Sequence, residues 1–282
     1  MNILGAKRQY GRIVGFFLPI LILFGAILFQ LRYDSITYEH YDIHAPVHRF
    51  ILPAPIVDKL SFGFQNTLAD YYWITAVQDF LKWDHKDVYY PEYFRIISAL
   101  DPKFEYPYMF AILTLPAKNN TTSLEWMKLI TDKGIQNIPE SWQIPFYAGV
   151  EYQFVAHSYP DATKYIEIAK QKKSHPELVD RTYAIYLMHD RSEYQKSRAL
   201  FEAMYQTSDN AETKRVVKER LDLLDLIEML DQASAKYKQL YGAYPQSLID
   251  LSEKHLVNIP LEIAKKFKLQ IDQTSGHVIL PR

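Results

Sequence analysis

Pro102, Pro139 and Pro176 stand 37 residues apart, twice in succession. The first two are each followed by a second proline, Pro107 and Pro145, beside the aromatic stretches Tyr108–Phe110 and Phe146–Tyr147. Proline ends helices, because it lacks a backbone donor and disfavours helical geometry in the residue before it. A fixed period in this range marks a chain that stacks one supersecondary unit on the next. It therefore restricts the fold to a series of short helical pairs, which mark out units at 61–102, 103–139, 140–176 and 177–210.

The third unit shows the internal pattern best. A helix over Trp142 to His157 is rich in Phe, Tyr, Ala and Val; a break follows at Ser158-Tyr159-Pro160, with Pro160 suited to an early helical position. A second helix, Asp161 to Lys173, places Ala162, Tyr165, Ile166 and Ala169 on one face. Gly149, Ala162 and Ala169 are small enough to let the two helices approach closely. In the first unit, SFGFQNTLADYYWITAVQDFLKW reads as one helix and YYPEYFRIISALDPKF as its partner, with Tyr93, Ile96, Ile97 and Leu100 on one side. The second unit has a polar interruption from Lys118 to Thr122, whose overlapping sequons at Asn119 and Asn120 read as a turn. The fourth puts Tyr194 at the turn, Ser197 at a small position and Phe201 at a large one.

Gly149, Tyr152, Tyr159, Ala162, Ile166 and Ala169 resemble the signature of a tetratricopeptide repeat, with one extra residue in the turn and Pro176 two positions late. Leu68-Ala69-Asp70-Tyr71-Tyr72-Trp73 and Leu100-Asp101-Pro102 are similar to segments of bacterial membrane-anchored tetratricopeptide proteins. This resemblance covers about 60–210. It implies an all-α solenoid of helical hairpins in which the first helix of each pair lines a concave groove. The register would turn Asn66, Asp70 and Trp73 inward in the first unit, with Gln143, Phe146, Val150, Gln153 and Phe154 in the third. In the fourth it selects Thr182, Tyr186, His189 and Asp190. Rings with amides suit an extended or helical peptide, the rings anchoring and the amides pairing its backbone. Phe146 and Phe154 suit packing between hairpins equally well.

The N-terminus adds an anchor. Residues 1–12 carry Lys7, Arg8 and Arg12 and no acid; Ile13 to Leu31 then run without a charge. At ~1.5 Å per helical residue this stretch matches a hydrocarbon core of roughly 30 Å, and Pro19 is tolerated in a membrane helix. No small-x-small cleavage site precedes Arg32, so the segment reads as a retained transmembrane helix over 13–31. The positive flank puts residues 1–12 in the cytoplasm and the bulk of the chain outside. With the resemblance, this implies a single-pass protein of a bacterial inner membrane facing the periplasm. Residues 32–60, with Pro46, Pro53 and Pro55, read as an extended strap. His40, His44 and His48 within it have the spacing of helical metal ligands, but Pro46 breaks any such helix.

Residues 211–282 read as a cap. A long helix over Ala211 to Leu240 stops at Tyr241-Gly242; a short one starts at Pro245; Phe267–Asp272 and His277–Leu280 form a hairpin through Gly276. Gly242, Tyr244, Pro245, Leu248, Leu251, Pro260 and Gly276 are similar to C-terminal segments of type II secretion pseudopilins. A simple end cap to the array accounts for the same residues.

Composition removes much of the remaining chemistry. Net charge is -1, which creates no field for nucleic acid, and there is no cysteine for disulfides, nucleophiles or thiolate metal sites. No phosphate-cradling glycine motif, nucleophile elbow or H-E-x-x-H occurs, so no cofactor and no metal are expected. Asp70, Asp79, Asp84 and His85 form one acidic cluster in sequence, but they span several helical turns and need not share a face. The chain thus reads as a non-enzymatic scaffold for protein or peptide partners. A structural subunit of a membrane complex, or an enzyme using the Asp70–His85 cluster, are the other classes to weigh.

Overall fold

The computed structural model describes residues 21, 24–29, 32, 52–81, 90–118, 120–257 and 266–281. The chain divides into two compact units, 1–49 and 50–282. In the first, the described residues are helical at 21, 24–29 and 32, and Leu21, Phe24, Ile27, Leu28 and Phe29 are exposed. Most of the predicted span 13–31, and His40, His44 and His48, lie outside the described residues. Among the described residues no helix is long and apolar enough to cross a membrane.

Among its described residues the second unit is all-α apart from one short hairpin. Its helices are α1 (Ala54–Leu60), α2 (Gln65–Leu81), α3 (Tyr90–Leu100), α4 (Glu105–Thr114), α5 (Thr121–Asn137), α6 (Gln143–Phe154), α7 (Tyr159–Lys170), α8 (Glu177–Leu187), α9 (Tyr194–Thr207), α10 (Ala211–Tyr241) and α11 (Leu248–Glu253). Strands β1 (Gln270–Ile271) and β2 (Val278–Ile279) pair antiparallel. The helices couple as α2/α3, α4/α5, α6/α7 and α8/α9, and α4 also packs on α6 and α7 on α8. Pro102 and Pro139 fall in the turns after α3 and α5, and Pro176 caps α8. The strap prediction needs one correction. Residues 54–60 are helical, because Pro53 and Pro55 occupy the entry and first turn of α1, where a missing N–H costs nothing.

Local chemistry sets the helix starts. Asn120, Ser158 and Asn210 each accept a backbone N–H of the helix they precede, from Ser123, Asp161 and both Glu212 and Thr213 respectively. In the third hairpin the two helices approach closely. Ala162, Ile166 and Ala169 are fully buried, and a Cβ added at Gly149 would lie 2.7 Å from the Ile166 side chain and 2.9 Å from the Ala162 carbonyl. Tyr152 and Tyr165 stack across the same pair at 5.2 Å.

Tyrosine hydroxyls tie neighbouring hairpins together. Tyr165 donates to Asp132 at 2.9 Å and Tyr183 to Glu167 at 2.9 Å, while within the first hairpin Tyr93 donates to Asp79 at 2.9 Å. Burial, then the Asp132 carboxylate, drives the Tyr165 hydroxyl well above its ordinary range, so it stays a donor. In the fourth hairpin Ser197 takes the small position and donates to the Ala184 carbonyl at 2.7 Å, with Phe201 fully buried.

The core falls into two clusters, one from Ala54 to Leu187 and one from Ala184 to Val278. The second belongs to the cap. Gly242 ends α10 in the left-handed region at φ 78. Asp231 of α10 accepts the Val278 N–H at 2.7 Å and pairs with Arg191, and Ser234 donates to the Gly276 carbonyl at 2.7 Å. Gly276, at φ 73, lies under the Tyr244 ring, where a Cβ would sit 2.1 Å from it. Of the pseudopilin-like residues, Pro260 lies outside the described residues.

Candidate partner-binding surface

The predicted groove residues divide by burial. Asn66 and Asp70 are exposed on α2. Trp73 is half-buried, edge-on to Phe104 at 6.0 Å and to Phe110 of α4 at 5.1 Å, so it joins the first hairpin to the second. Phe146 is 9% exposed and packs edge-on to Trp142 and Tyr147, whereas Phe154 is 66% exposed. Gln143, Val150 and Thr182 are half-buried, and the Thr182 hydroxyl is spent on the Leu178 carbonyl. Asp190 is exposed and accepts from the Ser192 N–H.

Three of the predicted residues do meet, around a neighbouring ring. Tyr186 is buried and edge-on to Tyr159 at 5.7 Å, His189 stacks on Tyr159 at 3.6 Å, and Gln153 donates to the Tyr159 hydroxyl at 3.4 Å. This places Gln153, Tyr186 and His189 around one ring at the junction of the third and fourth hairpins. Burial, then the nearby Tyr159, pushes the Tyr186 hydroxyl up to about 12. Burial, then the Arg220 charge, pulls His189 down to about 4, so its imidazole is neutral near pH 7.

Of the acidic cluster only Asp70 and Asp79 are described, and they differ in environment. Asp70 is exposed, while Asp79 is buried and engaged by Tyr93; Asp84 and His85 lie outside the described residues. Among the described residues no group of three or more His, Cys, Asp or Glu could hold a metal ion.

Several exposed apolar side chains lie on first helices, and of these only Phe154 belongs to the sequence register. Tyr71 and Ile74 on α2, Tyr106 and Leu113 on α4, Phe154 on α6 and Leu178 on α8 are all large, apolar and exposed, Tyr106 at 68%. The second helices of the same pairs show, among the described residues, only Leu129 on α5 and Tyr205 on α9. Tyr71 and Ile74, three apart, share a helical face, as do Tyr106 and Leu113, seven apart. Among the described residues of the paired helices, exposed large apolar side chains thus fall mostly on the first helices. Periodicity alone did not separate these positions from core ones, since both are apolar at helical spacing.

No family model, curated protein or solved structure matches this chain.

Proposed function

We propose that the chain is a membrane-anchored scaffold whose hairpins form a tetratricopeptide-like solenoid. Its first-helix face holds an apolar segment of another protein outside the cytoplasm, during assembly of an envelope, secretion or pilus machine. The observation that carries this reading is the bias of exposed large apolar side chains to the first helices. Water-exposed rings and aliphatic groups carried mainly by the first helix of each pair are what a docking partner would cover. The anchor rests on the uncharged run 13–31 and the basic residues before it. Packing accounts for Trp73 and Tyr186 between helices and for the buried Phe146, so binding falls to Asn66, Asp70, Tyr71, Ile74, Tyr106 and Phe154.

The test compares exposed positions on the two helix types. Tyr106→Ser and Phe154→Ser should each release a copurifying partner while leaving the melting midpoint unchanged, because neither side chain is buried. Leu129→Ser, on a second helix, should retain it. Retention by both first-helix variants, or loss only with Leu129→Ser, removes this face from the binding site.

A further inference from the structure

A cleft of about 260 Å³ opens where the end of α8 meets α10 and the C-terminal segment. Its polar lining is His189, Arg220, Lys266 and Lys268, and its apolar lining includes Met188, Phe267 and Leu280. Two of its polar atoms, Arg220 Nε and His189 Nδ1, are buried without a hydrogen-bond partner among the described residues. Folded proteins leave few such groups orphaned, and a neighbouring acceptor is the usual resolution. Arg220 lies over the Phe267 ring, 5.5 Å from its centroid, so its guanidinium is held against an apolar wall.

The charge balance points the same way. Lys266 at the rim pairs with Glu219, but neither Arg220 nor Lys268 forms an ion pair with a described residue. Two positive charges are therefore left for a ligand. The His189 ring, neutral near pH 7, offers one N–H without adding a third. The walls are largely apolar and the volume suits a short side chain, which a bare inorganic anion would leave unfilled.

We propose that this cleft binds a carboxylate carried on a short apolar body, with Arg220 and His189 holding the carboxylate and Met188, Phe267 and Leu280 the body. The same chemistry is presented by a free monocarboxylic acid and by the C-terminal residue of a peptide. The cleft involves none of the exposed first-helix residues, so Tyr106→Ser and Phe154→Ser leave it intact and the two readings fail separately.

The full chain in detergent micelles is titrated calorimetrically with isocaproate, with acetyl-Gly-Gly-Leu, and with the C-terminal amide of that peptide. The free acids bind, and the amide binds about tenfold more weakly or not at all, since it leaves the buried donors facing a neutral group. Arg220→Gln weakens binding of the acid by about tenfold or more. Lys268→Gln, at an exposed position, weakens it with the melting midpoint unchanged. Peptide acid binding tighter than isocaproate assigns the site to a peptide terminus; equal binding assigns it to a free acid. No binding of either acid at millimolar concentration, equal binding of acid and amide, or full affinity in both the Arg220 and Lys268 variants overturns the proposal.

Discussion

Gly149→Ala tests the close approach of α6 and α7, where a helix-propensity gain opposes an overpacking cost. Alanine in place of glycine within a helix ordinarily stabilises by about 1 kcal/mol. Here the added methyl would stand 2.7 Å from Ile166 Cδ1 and Cγ1 and 2.9 Å from the Ala162 carbonyl oxygen. The last contact is with backbone, so α7 must shift rather than a side chain swing away. Overpacking of this kind costs about 1–3 kcal/mol, leaving a net loss of about 1 kcal/mol. For a unit of this size that is roughly 2–4 °C in melting midpoint. Gly134 provides the comparison: a Cβ there meets only side-chain atoms of Tyr108 and Ile144, at 3.0–3.1 Å. Gly134→Ala should therefore be nearly neutral. Gly149→Val adds two further methyls to the same contact and should cost about 3 kcal/mol. The assay is thermal melting by circular dichroism of residues 50–282, the compact unit. A Gly149→Ala midpoint at or above that of Gly134→Ala would show that α6 and α7 do not meet this closely.

His189 gives a pH dependence. Its folded pKa, about 4, lies below the ordinary 6.5. The unfolded chain thus takes up a proton first, and stability falls as pH drops from about 6.5 to 4, by on the order of 2 kcal/mol after discounting the ring's wet side. His189→Gln should flatten that slope in a pH series of melts, and an unchanged slope would remove His189 as its source. Asp231→Ala should leave the Val278 N–H and Arg191 without their acceptor and cost about 2–4 kcal/mol locally; limited proteolysis should then release the C-terminal hairpin, and equal resistance would contradict that coupling. A reporter fused after Arg282 should be active outside the cytoplasm if the basic residues before Ile13 set the orientation. Strong cytoplasmic activity would reverse it.

The helical pairs were legible because proline and small residues act locally. Pro102, Pro139 and Pro176 end units through the backbone alone, and Gly149, Ala162 and Ala169 announce a close approach without reference to distant residues. The start of α1 was missed for the same kind of reason. Pro53 and Pro55 were read as marking extended chain, although proline is equally at home in the first turn of a helix. The binding surface was less legible. Trp73 and Tyr186 are apolar rings at helical spacing, as are Tyr71 and Tyr106. What separates them is whether a neighbouring helix, here α4 for Trp73 or the Tyr159 ring of α7 for Tyr186, lies across that face. No pattern within one helix carries that information. The carboxylate cleft was beyond sequence altogether, because His189, Arg220 and Lys268 come from three separated segments that only the α8–α10 packing and the turn back of the C-terminus bring together.

The most direct test of the scaffold reading is site-specific photocrosslinking of the full chain in its native membrane. A crosslinking side chain is placed in turn at Tyr71, Tyr106 and Phe154 on first helices and at Leu129 and Tyr205 on second helices, all exposed positions. Mass spectrometry then identifies the attached protein. The account predicts the same partner, joined through one apolar segment, at the three first-helix positions and not at the other two. Crosslinks to that partner mainly from Leu129 and Tyr205, with none from Tyr71, Tyr106 or Phe154, would contradict it.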